Sequence, residues 1–445
     1  MKKTKFSPSF LKFKGKSFII SRISRYCLFN LHLYGLLAFL TSTKLKSRRR
    51  SAKKVSKIKI LAIYSPGGLE DLKAIANSDA LIEFDIIIVD YRFFAQLFRS
   101  ILGDVPHDYD IHYSREHPLR AKYLKRVTKL LKVIKKTFFD FQGIINFNFV
   151  YYYTRDIETA SGTIGTKFIT LMKECLRTKA YAESTIEVYS KNVETYRGDL
   201  VLVHNEQTKE IFLKSGLFTC PIIKSGQPRS DLLKNVSKSN SPVPSSNTLN
   251  IVYFMISSRA GLPYFSGCYS DTTHNRIKPR EWKDINKRAL NHIFSFMSEN
   301  PQINLLIKGK PNLNYEDLTI PASLNDKVQI IDGNPSMSIF SNADLVLGFN
   351  STCLVESHLA SCHSASIELY DFDPDIIYDY ILPLPKSIPR ITQPDQLYKL
   401  LSSFVNGTLR PFTIDKHYVS SLLDNSKFDS GKRSAQHLYH LLSDE

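Results

Sequence analysis

The sequence predicts an α/β protein built from two doubly wound halves that face a cleft, preceded by a basic N-terminal arm. Three observations predict it. From Lys57 onward, short continuous apolar runs alternate with helical stretches, the pattern of parallel strands covered by helices on both faces. The alternation breaks at Ser237–Thr248 (SKSNSPVPSSNT), a linker rich in Ser, Asn and Pro, and then restarts. At 445 residues the chain is also too long for one compact core. The divisions implied are an arm at 1–57, a first unit at 58–236, a linker at 237–248, a second unit at 249–430 and a C-terminal helix at 431–445.

The strands and helices follow in order. Lys59–Tyr64 (KILAIY) reads as a strand ended by Ser65-Pro66-Gly67-Gly68, with a helix near Leu69–Ser78. Phe84–Val89 is a second buried strand and Tyr91–Ile101 the next helix. A basic amphipathic stretch, Leu119–Phe138, leads into the aromatic, β-prone Gly143–Tyr153, and a long helical pattern covers Thr166–Thr195. Leu200–Val203 closes the first series. Beyond the linker come strands at Leu249–Ile256, Ile303–Ile307, Val328–Ile331, Asp344–Leu347 and Ser366–Leu369. Helices are expected near Glu281–Ser298, Pro394–Phe404 and Ser434–Leu442. Folds of this class bind ligands at the carboxyl ends of their strands, so the loops after strands are where chemistry is sought.

The formal net charge of +18 suggests nucleic acid until its distribution is examined. Residues 1–57 hold sixteen Lys or Arg and no Asp or Glu, which leaves +2 for the other 388 residues. The globular part is therefore nearly neutral, and no nucleic-acid partner is expected of it. Within the arm, Tyr26–Thr43 is mostly apolar but interrupted by Asn30, His32 and Gly35, short of the roughly 20 residues that span a bilayer. Cations flank it on both sides. The reading that fits is a monotopic segment on an anionic membrane surface. A short span, a targeting peptide and a nucleic-acid arm are the alternatives. The six cysteines are scattered without a C-x-x-C pair, so neither zinc nor a disulfide framework is expected, and no cofactor is implied.

The segment that points most directly to chemistry is Ala343–Ala360 (ADLVLGFNSTCLVESHLA). A buried strand ends at Gly348, and Asn350-Ser351-Thr352 offers an N-cap for a helix carrying Glu356. A helix N-terminus at a strand's carboxyl end suits a pyrophosphate, and Glu356 is placed to meet ribose hydroxyls. Ordinary capping with a solvated Glu is the plain alternative. The loop after Leu249–Ile256 brings Ser258 and Arg259, small and fork-bearing residues suited to phosphate, although it lacks the Walker pattern. Gly67 and Gly68 form the matching loop of the first half.

ADLVLGFNSTCLVES resembles the donor-site segment of GT-B-type glycosyltransferases of bacterial surface carbohydrate (capsule, O-antigen) synthesis. Leu202–Leu232 is similar to that family's strand, helix, Gly, strand and G-x-P-R-x-D turn, with Gly226, Pro228, Arg229 and Asp231 matching the turn. Leu305–Pro311 (LLIKGKP) resembles a strand ending in basic residues before Pro, with Lys310 where the family usually has His. The likeness covers about residues 200–370. It implies two Rossmann-like domains, a nucleotide-sugar donor and a lipid-linked or glycan acceptor at the cytoplasmic face of the cell membrane. It places Ser351 and Thr352 on donor phosphate, Glu356 on the ribose, Lys308 and Lys310 against the diphosphate, and Arg229 at the cleft. A pair between Arg229 and Asp231 is the structural alternative.

Such chemistry needs a carboxylate or His to take the acceptor's proton. Asp156 and Glu158, read in a loop after the Phe147–Tyr153 strand, are candidates, with a surface charge cluster as the alternative. His204, ending Leu200–Val203, is the other. Three further functions share the fold: a CDP-polyol phosphotransferase of the teichoic-acid type, a nucleotide-sugar 2-epimerase-like enzyme, and a non-catalytic assembly factor.

Overall fold

The computed structural model describes residues 35, 42–46, 57–64, 67–78, 82–103, 119–192, 194–236, 248–257, 260–262, 279–309, 318–331, 337–370, 377–409 and 415–443. Two sheets organise them. The first has seven strands in the order β1-β3-β2-β4-β5-β6-β7: β1 (Thr43–Lys46), β2 (Lys57–Tyr64), β3 (Glu83–Asp90), β4 (Gly143–Asn146), β5 (Lys167–Leu171), β6 (Leu200–Val203) and β7 (Ile222–Lys224). All neighbours run parallel except β1, which pairs antiparallel with β3. The second sheet has six parallel strands ordered β10-β9-β8-β11-β12-β13: β8 (Leu249–Phe254), β9 (Ile303–Lys308), β10 (Val328–Ile331), β11 (Leu345–Gly348), β12 (His363–Ile367) and β13 (Arg390–Ile391).

The continuous apolar runs arise because both faces of each sheet are covered. On β2, Leu61 and Ile63 enter one core, shared with Phe98 of α2 (Arg92–Leu102), Tyr123 and Leu130 of α3 (Arg120–Val133), and Ile157 of α4 (Tyr152–Thr163). Ile58, Ile60 and Ala62 enter the opposite core, with Leu72 and Ile75 of α1 (Gly68–Ala76). Leu438 and Leu442 join that second core. They belong to the C-terminal helix, Ser430–Leu442, which crosses back to the first sheet.

The second sheet repeats the device. Ile251, Tyr253, Leu345 and Leu347 pack on one face with Leu290 and Ile293 of α7 (Pro279–Glu299) and Leu397 of α9 (Pro394–Val405). Val252, Phe254 and Val346 pack on the other with Leu354 and Val355 of α8 (Cys353–Leu359) and Leu423 of α10 (Lys416–Leu423). The remaining helices, α5 (Lys179–Asn192) and α6 (Glu206–Lys214), follow β5 and β6, and the Ser430–Leu442 helix is α11.

Four sequence expectations need correction. The Gly143–Tyr153 run is a strand only to Asn146, and helix α4 already begins at Tyr152. The Thr166–Thr195 stretch is not one helix. Its first part is β5, whose Phe168 and Ile169 enter opposite cores as a strand of period two requires. The strand expected at Ser366–Leu369 starts at His363, set by its pairing with β11. The arm is not wholly separate from the body either. Thr43–Lys46 adds an edge strand with Lys44 and Lys46 outward, and Gly35 lies buried against Val133 and Phe138. The rest of the apolar segment Tyr26–Thr43, apart from Gly35, Ser42 and Thr43, lies outside the described residues. Among the described residues no helix is long and apolar enough to cross a membrane.

The Gly226–Asp231 turn is the crossing point. Gly226 has φ +79°, and a Cβ there would lie 2.6 Å from the Asp424 carbonyl oxygen and collide with Ser430 Oγ. Asp231 does not pair with Arg229. Its carboxylate accepts from Asn425 Nδ2 (2.6 Å), Ser430 N (3.2 Å) and Gly431 N (2.7 Å), so it caps the returning α11 from about two hundred residues away in sequence. Gly226→Ala combines left-handed backbone with a clash against backbone, an expected loss of about 2–4 kcal/mol measured as a lower urea midpoint.

Candidate active site

Among the parallel strands of each sheet the order reverses once, and folds of this class bind ligands at the strands' carboxyl ends beside such a reversal. In the first sheet it lies between β2 and β4. Gly67 (φ +96°) ends the loop after β2, and a Cβ on Gly68 would enter the ring of Phe147 in the loop after β4. Two glycines therefore stand where the chain turns under an aromatic ring. Helix α1 starts there, with Glu70 and Asp71 in its first turn.

In the second sheet the reversal falls between β8 and β11. Gly348 brings its backbone against Phe254, 3.1 Å from that carbonyl to a built Cβ. Asn350 follows in the left-handed region (φ 48°), which a short polar side chain tolerates. Its amide is fully engaged: Nδ2 donates to Ala260 O (3.0 Å) and Tyr380 O (2.9 Å), and Oδ1 accepts from Leu382 N (2.8 Å). Asn350 thus fastens three loops together and is not the helix cap that the sequence suggests. Ser351 Oγ accepts from Cys353 N (3.3 Å), while Thr352 occupies the cap position of α8 without a side-chain cap bond. Both are half-buried beside the reversal.

Arg229 ties together α1 and α8, the helices that follow the strands at the two reversals. Its Nε and Nη2 each lie 3.0 Å from Glu356 Oε1, and Nη1 lies 3.4 Å from Asp71 Oδ2 and 3.3 Å from the Lys173 carbonyl. The Arg229 backbone N–H donates to Asp71 Oδ1 (3.0 Å), and Gln227 Nε2 donates to Glu356 Oε1 (3.0 Å). Asp71 and Glu356 are 0% and 2% exposed at the side chain. Burial opposes the Arg229 charge, but Glu356 and then Asp71 outweigh it and hold its pKa above the ordinary arginine value. Glu70 reaches the second half separately: its Oε1 accepts from Met337 N (3.0 Å). Burial, aided by the nearby Glu356 charge, raises its pKa from 4.5 to about 7, the range that suits a general base.

The other predicted residues fall elsewhere. Asp156 lies inside helix α4, not in a cleft loop, and is bound by Arg120 (Nε 2.8 Å, Nη2 2.7 Å), which also holds Glu194 at 2.9 Å. It anchors α3 to α4. Glu158, on the same helix, has a carboxyl raised to about 8, by burial against the pull of Arg155. His204 is 1% exposed at the end of β6, and its Nε2 is buried without a hydrogen-bond partner. Burial and then the Arg229 charge lower its pKa well below the usual value, so the ring is neutral and sealed from solvent. Lys308 is 2% exposed and donates to its neighbour's carbonyl, Gly309 O, at 2.6 Å. Ser258, Arg259 and Lys310 lie outside the described residues.

Sequence reading missed Glu70, Asp71 and Gln227. Acids in a helix's first turn look like ordinary complements to its dipole. The available signal was their place directly after Gly67-Gly68.

No family model and no curated protein matches the chain. Solved structures to which it is similar include a UDP-GlcNAc 2-epimerase from Methanocaldococcus jannaschii, 12% identical, with 86% of this chain and 100% of that chain covered and a TM-score of 0.47. A putative UDP-N-acetylglucosamine 2-epimerase from Listeria monocytogenes gives 11%, 87%, 97% and 0.48 in the same terms. The trehalose-6-phosphate synthase OtsA gives 12%, 88%, 99% and 0.44.

Proposed function

We propose that this chain is a glycosyltransferase of surface-polysaccharide synthesis, moving a sugar from a nucleotide-sugar donor to a lipid-linked or glycan acceptor at the cytoplasmic face of the membrane. The observation that carries the enzymatic reading is one buried guanidinium tying α1 to α8, the helices that follow the switch-point strands of the two sheets. Each switch point is a ligand position of its own half, and the tie keeps the two a short distance apart, as transfer between bound partners requires.

Donor diphosphate is assigned to the switch point between β8 and β11, beside the hydroxyls of Ser351 and Thr352. Arg259 follows β8 and Lys310 follows β9, the next strand in the sheet, and both would supply cations. Glu356 holds Arg229 in place, and the ribose contact read from the sequence would use the same carboxylate. The acceptor's reacting hydroxyl is assigned to the first half, beside Gly67 and Gly68. Glu70, at the start of α1, takes the acceptor's proton in place of Asp156, which Arg120 holds, Glu158, which lies within helix α4 and not in a cleft loop, and His204, which is sealed from solvent. The cationic arm at 1–57 supplies attachment to anionic lipid.

The test uses the full chain with UDP-, GDP- and CMP-sugars and CDP-polyols, following thermal shift and nucleotide release with and without membranes. Stabilisation by a nucleotide sugar, with nucleotide released only when acceptor membranes are present, is the expected result. Thr352→Val is expected to weaken donor binding about tenfold, the worth of a hydrogen bond to a charged group. Stabilisation by CDP-polyol alone would transfer the assignment to polyol-phosphate chemistry. Conversion of the donor into an epimeric nucleotide sugar, with no acceptor and no net nucleotide release, would point to an epimerase-like reaction, and no response to any donor would leave a non-catalytic role.

A further inference from the structure

Between α5, α6 and the 378–383 segment of the second half lies a groove of about 560 Å³. It borders the second reversal: Thr178 Oγ1, at the start of α5, donates to Gly261 O (2.7 Å) in the loop after β8. Ile186, Ile381 and Pro383 give it apolar wall, and Tyr378 stands 60% exposed at its edge.

Four cations line the groove, Arg177, Lys179, Lys214 and Arg390, against the carboxylates of Glu183 and Glu210. Three of the four are neutralised: Lys179 by Asp379 (3.2 Å), Lys214 by Glu210 (3.8 Å) and Arg390 by Glu368 (2.7 Å). Arg177 differs. It is 8% exposed, and no carboxylate of the described residues pairs with it. Its guanidinium lies 4.9 Å over the Tyr181 ring and 6.0 Å from the Phe212 ring, Nη1 donates to the Thr185 hydroxyl at 3.3 Å, and the neutral hydroxyls of Tyr181 and Tyr189 are its other polar neighbours. Its Nε is buried without a hydrogen-bond partner.

A guanidinium remains charged at any working pH, and burying it against neutral rings and hydroxyls costs several kcal/mol unless an anion compensates. Among the described residues the other three lining cations each have a carboxylate within 3.8 Å, whereas Arg177 has only the more distant charge of Glu174, whose side chain is 74% exposed.

We propose that the groove is the subsite for a phosphate-bearing acceptor, with Arg177 as the cation that holds the phosphate and the Ile186–Ile381–Tyr378 wall as the seat of its less polar part. This rests on the glycosyltransferase reading only in naming the occupant an acceptor. A planar fork suits phosphate oxygens, and the mixed wall suits a molecule polar at one end.

Binding to the full chain is measured by calorimetry with three probes: inorganic pyrophosphate, glucose 1-phosphate and farnesyl phosphate in detergent below its micelle concentration. At least one is expected to bind, and Arg177→Gln should weaken it about 10–100-fold, with partial recovery in Arg177→Lys. Binding of farnesyl phosphate over glucose 1-phosphate would assign a lipid phosphate, and the reverse a soluble one; either supports the subsite. Should Arg177→Gln unfold, Lys179→Gln with Lys214→Gln alters only exposed rim charges and is expected to weaken the same probe several-fold at low salt. Unchanged affinity in the variant that folds, or no binding of any probe to the wild type, overturns the proposal. UDP or nucleotide-sugar binding is measured on the same samples. Donor binding that persists without phosphate binding sinks this subsite alone, whereas phosphate binding without donor binding sinks the donor reading and leaves the groove standing.

Discussion

Arg229→Met is expected to lower stability by about 3–5 kcal/mol, read as a fall in the urea midpoint at neutral pH. The side chain is 13% exposed and bonds three groups from three parts of the chain: Glu356 on α8, Asp71 on α1 and the Lys173 carbonyl after β5. Methionine fills most of the volume but leaves Asp71 and Glu356 buried with no opposite charge. The cost lies in those abandoned carboxylates more than in the lost attraction. Arg229→Lys should recover only part of it, since one ammonium cannot reproduce a fork that reaches both carboxylates. The triple change Arg229→Met, Asp71→Asn, Glu356→Gln should recover much of the loss, because removing every member of a buried ionic group is far cheaper than removing one. Since the tie joins the two sheets, unfolding of Arg229→Met should also divide into two transitions where the wild type shows one. A midpoint unchanged from wild type would show that Arg229 does not hold the halves together.

The fold was legible where burial on both faces forces continuous apolar strands, as at Lys59–Tyr64 and Leu249–Phe254. It was less legible where a strand and a helix share a composition. Phe168–Leu171 sits in a segment whose later residues do form a helix, and only the pairing of β5 between β4 and β6 decides its state. Arg229 could be placed at the joint from its turn, yet its partners could not. Asp231 lies two residues away and was the natural guess, but that carboxylate is taken by Asn425, Ser430 and Gly431. Asp71 and Glu356, 158 and 127 residues distant, take the guanidinium instead. Local spacing carries no information on such pairings. Asn350 shows the same limit: its residue type and position fit a cap, and only the approach of Ala260, Tyr380 and Leu382 gives its amide another use.

Glu70→Gln is expected to separate stability from catalysis through pH. The carboxyl titrates near 4.5 when unfolded and about 7 in the folded protein. Between those values the folded state keeps the proton and the unfolded state has lost it, so the folded state binds more protons and stability falls as pH rises. Below 4.5 both states are protonated, and above 7 both are ionised, so the slope is confined to that window. Its full size is about 3 kcal/mol, reduced by solvent on the partly exposed side of Glu70. Glutamine cannot titrate but keeps an amide oxygen for Met337 N. The difference between wild-type and Glu70→Gln stability should therefore change by up to that amount from pH 4.5 to 7, in the direction that favours the variant at high pH. Transfer should behave oppositely. A base must be ionised to act, so wild-type kcat/KM should climb with pH through about 7, where the variant shows no such limb and loses about 10²–10⁴-fold in rate. The same substitution thus raises relative stability and sharply lowers turnover at neutral pH, a combination that an ordinary structural carboxylate does not produce. If the variant keeps both its rate and the wild-type pH limb, Glu70 is not the base, and the acceptor's proton leaves by another group.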